Sequence, residues 1–234
     1  MTANRLLTTA AAAILLGAGA PAQAAPKVEN TIAQRVLACT GCHGAQGRAA
    51  RDGYYPRIAG KPATYLYNQL LSFRDGRRNY APMAKLLAPL TDDYLQEIAT
   101  HFASLEVPYP APQAATTSAA ELTRGQKLVM QGDAARRIPA CVACHGEALT
   151  GVAPAIPSLI GMPRDYLNGQ LGAWQTGNRR AHAPDCMAQV AKALTPDDIG
   201  AISQWLAAQP VPVHAHAASA LPSKMPLDCG SAKP

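Results

Sequence analysis

Aromatic side chains are scarce in this chain of 234 residues, where two Phe, two Trp and eight Tyr make up 5% of the sequence. Short domains with so few large apolar groups are marginal on their own, because they bury too little surface. Charge is thin as well: 15% of the residues are charged and the net charge is +6, whereas ordinary globular chains carry about 25% charged residues. Without a clustered basic face the chain is not read as a nucleic-acid binder, and it can steer a charged partner only weakly. Long apolar runs are missing too. Beyond the first two dozen residues nothing approaches the ~20 consecutive apolar residues of a membrane-spanning helix, and no converging set of acids and bases stands out.

The start of the chain sets the compartment. Arg5 precedes an apolar run over residues 6–20, and Ala22-Gln23-Ala24 has the small-x-small form of a cleavage site. Residues 1–24 are read as a signal peptide, and the mature chain is expected to begin at Ala25 in the periplasm. The run is short and rich in Ala and Gly, and no cysteine precedes Cys39 to carry a lipid. A soluble mature protein without stable membrane insertion is expected; an uncleaved leader acting as an anchor is the alternative.

What is present is a pair of thiol motifs. Cys39-Thr40-Gly41-Cys42-His43 recurs as Cys141-Val142-Ala143-Cys144-His145. Two thiols separated by two residues can each add to a vinyl group of one haem, and the histidine that follows then lies under the iron as an axial ligand. One such motif alone would read equally as a redox dithiol or half a zinc site. Two in an exported chain point to two covalently bound haem c groups. Each haem would also supply the apolar body that the few aromatics do not, so the chain without haem is expected to fold poorly.

Beyond each motif the sequence repeats itself. Pro56, Gly60, Pro62, Tyr65, Leu66, Gln69, Leu70 and Gly76 return as Pro157, Gly161, Pro163, Tyr166, Leu167, Gln170, Leu171 and Gly177, all at an offset of 101 residues. Thr31-Ile32-Ala33-Gln34 has capping-box spacing and predicts a helix running to about Cys39; Thr123-Arg124-Gly125-Gln126 predicts its counterpart. Pro62 and Pro163 suit the first turn of the next helix. Thr91 and Thr195, each followed by acids, suit the N-cap of the last. Residues 107–120 are rich in Pro, Ala, Ser and Thr and read as a semi-extended linker. The predicted organisation is all-α, with a first domain at 25–106, the linker at 107–120, a second domain at 121–209 and a C-terminal tail at 210–234.

A haem with one protein ligand is an open site and a haem with two is an electron carrier, so the residue opposite each histidine decides the function. Met83 stands 40 residues after His43 and Met187 stands 42 after His145, each shortly before the last helix of its half. Their matching places in the repeat select them as the second axial ligands, while Met130 and Met162 read as core fillers. The carbonyls of Pro56 and Pro157 are candidates to accept the other imidazole proton, with ordinary loop prolines as the plain alternative. Arg77-Arg78 and Arg179-Arg180 match across the repeat and are read either as contacts to haem propionates or a partner, or as solvated surface. His182 is a minor competitor for the second iron, His101 a surface or core residue, and His214 with His216 at most a weak metal site.

With these residues in view, the chain resembles the two-haem class I cytochromes of the cytochrome c4 type. The resemblance rests on both C-x-x-C-H motifs, on Tyr55-Pro56-Arg57-Ile58-Ala59-Gly60 and Ile156-Pro157-Ser158-Leu159-Ile160-Gly161, on the Tyr-Leu-x-x-Gln-Leu helices, and on a late methionine and Leu-Thr-x-Asp in each half. It implies two tandem class I cytochrome c domains related by a pseudo-two-fold, with the haems near their interface and the axial pairs His43 with Met83 and His145 with Met187. It also implies periplasmic shuttling of single electrons by outer-sphere transfer, to a terminal oxidase or from a dehydrogenase. Cys186 and Cys229 depart from the pattern. In an oxidising compartment two leftover thiols form a disulfide, which would tie the tail over the second methionine loop. The alternative is a haem enzyme that oxidises small sulfur compounds or acts as a peroxidase, with a second haem that is labile or bound by Cys186 itself.

Overall fold

The structure is a computed structural model that describes residues 29–49, 53–213 and 215–232. The leader expected at residues 1–24, and His214, lie outside the described residues. Helices α1 (Ile32–Arg35), α2 (Leu37–His43), α3 (Ala63–Arg74), α4 (Ala81–Leu87) and α5 (Asp92–Ala103) build the first half. The second half is built from α6 (Ala119–Met130), α7 (Val142–His145), α8 (Arg164–Gln175), α9 (Cys186–Ala193) and α10 (Pro196–Ala207). The fold is helical, as expected, apart from a two-residue antiparallel ribbon that pairs β1 (Gly151–Val152) with β2 (Ile156–Pro157).

Two helix boundaries differ from expectation. The Thr31 hydroxyl does cap α1, accepting from the Gln34 N–H at 3.2 Å, but Val36 (φ −89°, ψ 8°) breaks the helix there. It resumes as α2 and runs through the thiol motif rather than stopping at it. In the second half, α6 starts about one turn before Thr123. Ser118 and Glu121 form its capping box, and Thr123 lies inside the helix, its hydroxyl donating to Ala119 O at 2.9 Å. An acid at the third helical position favours that start through the helix dipole. Thr91 and Thr195 cap α5 and α10 as expected.

Each half has its own core at matching positions. Leu66, Ile98 and Phe102 lie buried in the first, and Leu167, Ile202 and Leu206 in the second. α3 packs on α5 as α8 packs on α10, and α6 crosses α10 beside them. That last crossing is tight: a Cβ at Gly125 would lie 2.2 Å from Ala201 O. Below it, wholly buried Asp198 accepts from Arg124 at 2.7 Å, from Arg136 at 2.6 Å and from the Thr195 N–H at 2.9 Å. Burial alone would push this carboxyl up, but the hydrogen bonds outweigh it and hold the group well below the usual carboxylate range.

The connector has neither helix nor strand over residues 107–116, yet it is not a free spacer. Buried Arg57 donates to Val107 O at 2.5 Å and Pro108 O at 3.0 Å, and its guanidinium lies 3.9 Å over the Tyr109 ring. Gln113 N–H donates to Ala207 O at 2.9 Å. The tail is held as well. A disulfide joins Cys186 to Cys229, Ala218 bridges to Val152, and the Asn68 side chain in α3 donates to Ser231 O at 3.3 Å, reaching across from the first half.

The halves meet through reciprocal contacts. Arg78 pairs with Arg179 in an antiparallel bridge, flanked by Asn79 N–H to Asn178 O at 2.8 Å and Arg180 N–H to Arg77 O at 2.7 Å. Arg78 donates to the side-chain oxygens of Gln69 (3.0 Å) and Gln170 (2.6 Å), and Arg179 donates to those of Gln170 (2.8 Å) and Gln69 (2.9 Å). Each guanidinium lies over an aromatic ring of its own half, Phe73 at 4.2 Å and Trp174 at 3.8 Å. Arg78 and Arg179 are therefore buried bridging groups, which rules out the solvated-surface reading for this pair.

Candidate haem sites

Each half opens a cavity beside its thiol motif. α2 presents Cys39, Cys42 and His43 to the first, of about 800 Å³, and Met83 of α4 lies on its wall. α7 and the residue before it present Cys141, Cys144 and His145 to the second, of about 180 Å³, and Met187 of α9 lies on its wall. The structure thus brings each expected set of four residues around one cavity. Met162 is buried in the core, as a filler would be, whereas Met130 is 41% exposed and fills nothing. His182 lines the second cavity, and its backbone N–H donates to Ser231 Oγ at 3.0 Å.

Both histidines are oriented in the same way. His43 Nδ1 lies 2.9 Å from Pro56 O and His145 Nδ1 lies 2.8 Å from Pro157 O. A carbonyl can only accept, so each Nδ1 carries the proton and Nε2 holds the free lone pair. Burial pulls both imidazoles below their usual range and so favours the neutral, ligating form. It pushes the Cys39 and Cys144 thiols up, and Cys141 up to about 12. These are not the low-pKa thiols of a redox dithiol. No three His, Cys, Asp or Glu side chains converge into a metal-holding group among the described residues, which leaves a zinc reading without a ligand set.

The lining fits a haem c: two thiols, an oriented imidazole and a thioether, with Leu66, Leu70, Phe73 and Ile98 supplying apolar wall in the first half and Leu167, Leu171, Trp174 and Ile202 in the second. The two cavities also share lining residues, among them Gln69, Gln170, Arg179 and Lys61. Lys61 is buried and donates across the interface to Ser158 Oγ at 3.1 Å. Motif reasoning misses it. Its one signal is a break in the repeat, since the matching residue of the second half is Met162.

The cytochrome c family model matches residues 122–209. The chain is 38% identical over 194 residues to the thiosulfate dehydrogenase electron acceptor of Thiomonas intermedia, covering 82% of this chain and 88% of that one. It is 32% identical over 176 residues to the cytochrome c4 of Pseudomonas aeruginosa, covering 74% and 84%. The chain belongs to the cytochrome c4-type cytochromes c. This cytochrome is therefore an electron-transfer protein of a family that binds haem c covalently. The crystal structure of reduced recombinant cytochrome c4 from Pseudomonas stutzeri matches it with a TM-score of 0.64 at 29% identity, over 74% of this chain and 94% of that one. A thiosulfate dehydrogenase from Marichromatium purpuratum matches with a TM-score of 0.67 at 32% identity, over 74% of this cytochrome and 36% of the longer chain.

Proposed function

We propose that this cytochrome is a periplasmic two-haem carrier that takes single electrons from a thiosulfate-oxidising dehydrogenase and passes them to a further redox protein such as a terminal oxidase. The observation that carries the reading is the duplicated cavity, in which a thiol pair, a proline-oriented histidine and a methionine meet twice. Cys39 and Cys42 would hold the first haem, with His43 and Met83 as axial ligands; Cys141 and Cys144 would hold the second, with His145 and Met187. A haem ligated on both faces supplies an electron without an open position for substrate. Around it the chain's own part is to fix the imidazoles through Pro56 and Pro157 and to exclude water with the apolar walls.

The choice of donor is supported by the two relatives named as thiosulfate dehydrogenase electron acceptors, at 38% and 36% identity. The leader pattern at residues 1–24 supports export, and among the described residues no helix is long and apolar enough to cross a membrane. Of the enzyme alternative, the form with a Cys186 thiolate on iron is opposed by the bond of that sulfur to Cys229; the form with a labile second haem is separated from the carrier by the reaction below.

Mixing the oxidised holoprotein with thiosulfate and a trace of thiosulfate dehydrogenase tests the reading. Two haem equivalents per chain are expected to become reduced, and none without the dehydrogenase. Thiosulfate oxidation by the cytochrome alone would make it an enzyme. Reduction no faster than that of an unrelated cytochrome would remove the assigned donor.

A further inference from the structure

Three cations are buried where the halves meet, and none forms a salt bridge among the described residues. Lys61, Arg78 and Arg179 are 6%, 9% and 6% exposed. The two arginines donate to the neutral side-chain oxygens of Gln69 and Gln170. Lys61 has less: Nζ donates to the Ser158 hydroxyl, its one hydrogen-bond partner among the described residues. A buried ammonium matched only by a neutral hydroxyl is unfavourable unless an anion completes it. Burial pulls the ammonium down to about 8; Tyr166 offsets part of that, while Arg57 and Arg179 repel the charge.

The cavities are where that anion can come from. Lys61 lines both of them, and the lining they share, Tyr65, Gln69, Tyr166, Gln170 and Arg179, contains no carboxylate. An ammonium has three N–H donors. Ser158 takes one, leaving two. The matching residue of the second half, Met162, is buried in its own core and brings no charge, so this lysine has no counterpart in the repeat and faces both sides.

We propose that Lys61 is a carboxylate-binding residue shared by the two cavities, engaging a propionate of each haem at once, an inference that rests on the two-haem reading above. A cation fixed between the two groups favours the added electron on either, so it raises both reduction potentials.

The test is Lys61→Met, which copies the other half of the repeat, beside Lys61→Arg, which keeps the charge. Haem per chain and both potentials are measured on the holoproteins by spectroelectrochemical titration. In Lys61→Met both haems are expected to become harder to reduce by at least about threefold in equilibrium constant, or about 30 mV for a one-electron couple. Lys61→Arg is expected to recover most of the loss. Unchanged potentials at full haem content would overturn the proposal, and so would a shift confined to one haem. If Lys61→Met yields no holoprotein, Lys61→Gln, which can still donate to Ser158 but carries no charge, is measured in its place against the same two outcomes. Fewer than two haems per chain in the parent would instead remove the two-haem reading, and the shared site with it.

Discussion

Asp198 stays ionised while wholly buried because two arginines and the Thr195 N–H meet it. Its carboxyl in the folded chain titrates below the ~3.9 of an unfolded aspartate. The stability it supplies is therefore complete well above pH 4 and is lost as the pH falls through that region towards the folded value. Asp198→Asn is expected to cost about 2–3 kcal/mol at pH 7, the worth of one strong charge-assisted hydrogen bond. Denaturant unfolding of the holoproteins should show the gap to the parent closing below pH 4, and a gap independent of pH would mean that packing, not charge, is what the substitution removes. Residues of this kind are hard to read from sequence, since Arg124 and Arg136 are far from Asp198 along the chain. The Pro56 and Pro157 carbonyls were legible because each follows its histidine at nearly the same interval.

Among the elements, α6 shows how two local signals compete. Ser118-x-x-Glu121 and Thr123-x-x-Gln126 both have capping spacing, and the acid wins because it also meets the positive end of the helix. The interruption at Val36 carries no such signal; Val36 is buried in the first core there. Gly125 is the position on which the α6–α10 crossing depends, and it is buried together with Leu128 and Val129 one turn on. Gly125→Ala places a methyl against the Ala201 backbone, and backbone cannot yield as a flexible side chain would. A loss of about 1–3 kcal/mol is expected, against the small gain that Ala brings to an open helix position. A thermal melt of the holoprotein would show it, and an unchanged midpoint would mean that the helices can separate at little cost.

At the scale of the molecule, the tail acts as a strap. It is bonded to α9 beside Met187, bridged to β1 and hydrogen-bonded to Asn68 of the first half. Closing a separation of 43 residues is worth about 4 kcal/mol in a chain-entropy account. Cys229→Ser is expected to lose stability of that order. Because the bond sits beside Met187, the spectrum of the second haem should change at lower temperature than that of the first; simultaneous loss in both would mean that the halves unfold as one. The repeat at an offset of 101 residues announced two related halves, but nothing within either half names the partner surface. Gln69, Gln170 and Lys61 gain their roles only once the halves face each other.

That facing has the form of contact found between two identical subunits: residue 69 meets 179 as 170 meets 78, each pair the mirror of the other. In a dimer of identical chains, any change on one side of the axis must also occur on the other, and a lysine at position 61 would bury two ammonium groups at the one interface. Carrying both copies in one chain lifts that constraint. Lysine can then stand on one side of the axis and methionine on the other, so a single charge sits at the centre of an otherwise symmetric frame, and the two halves are free to become different sites.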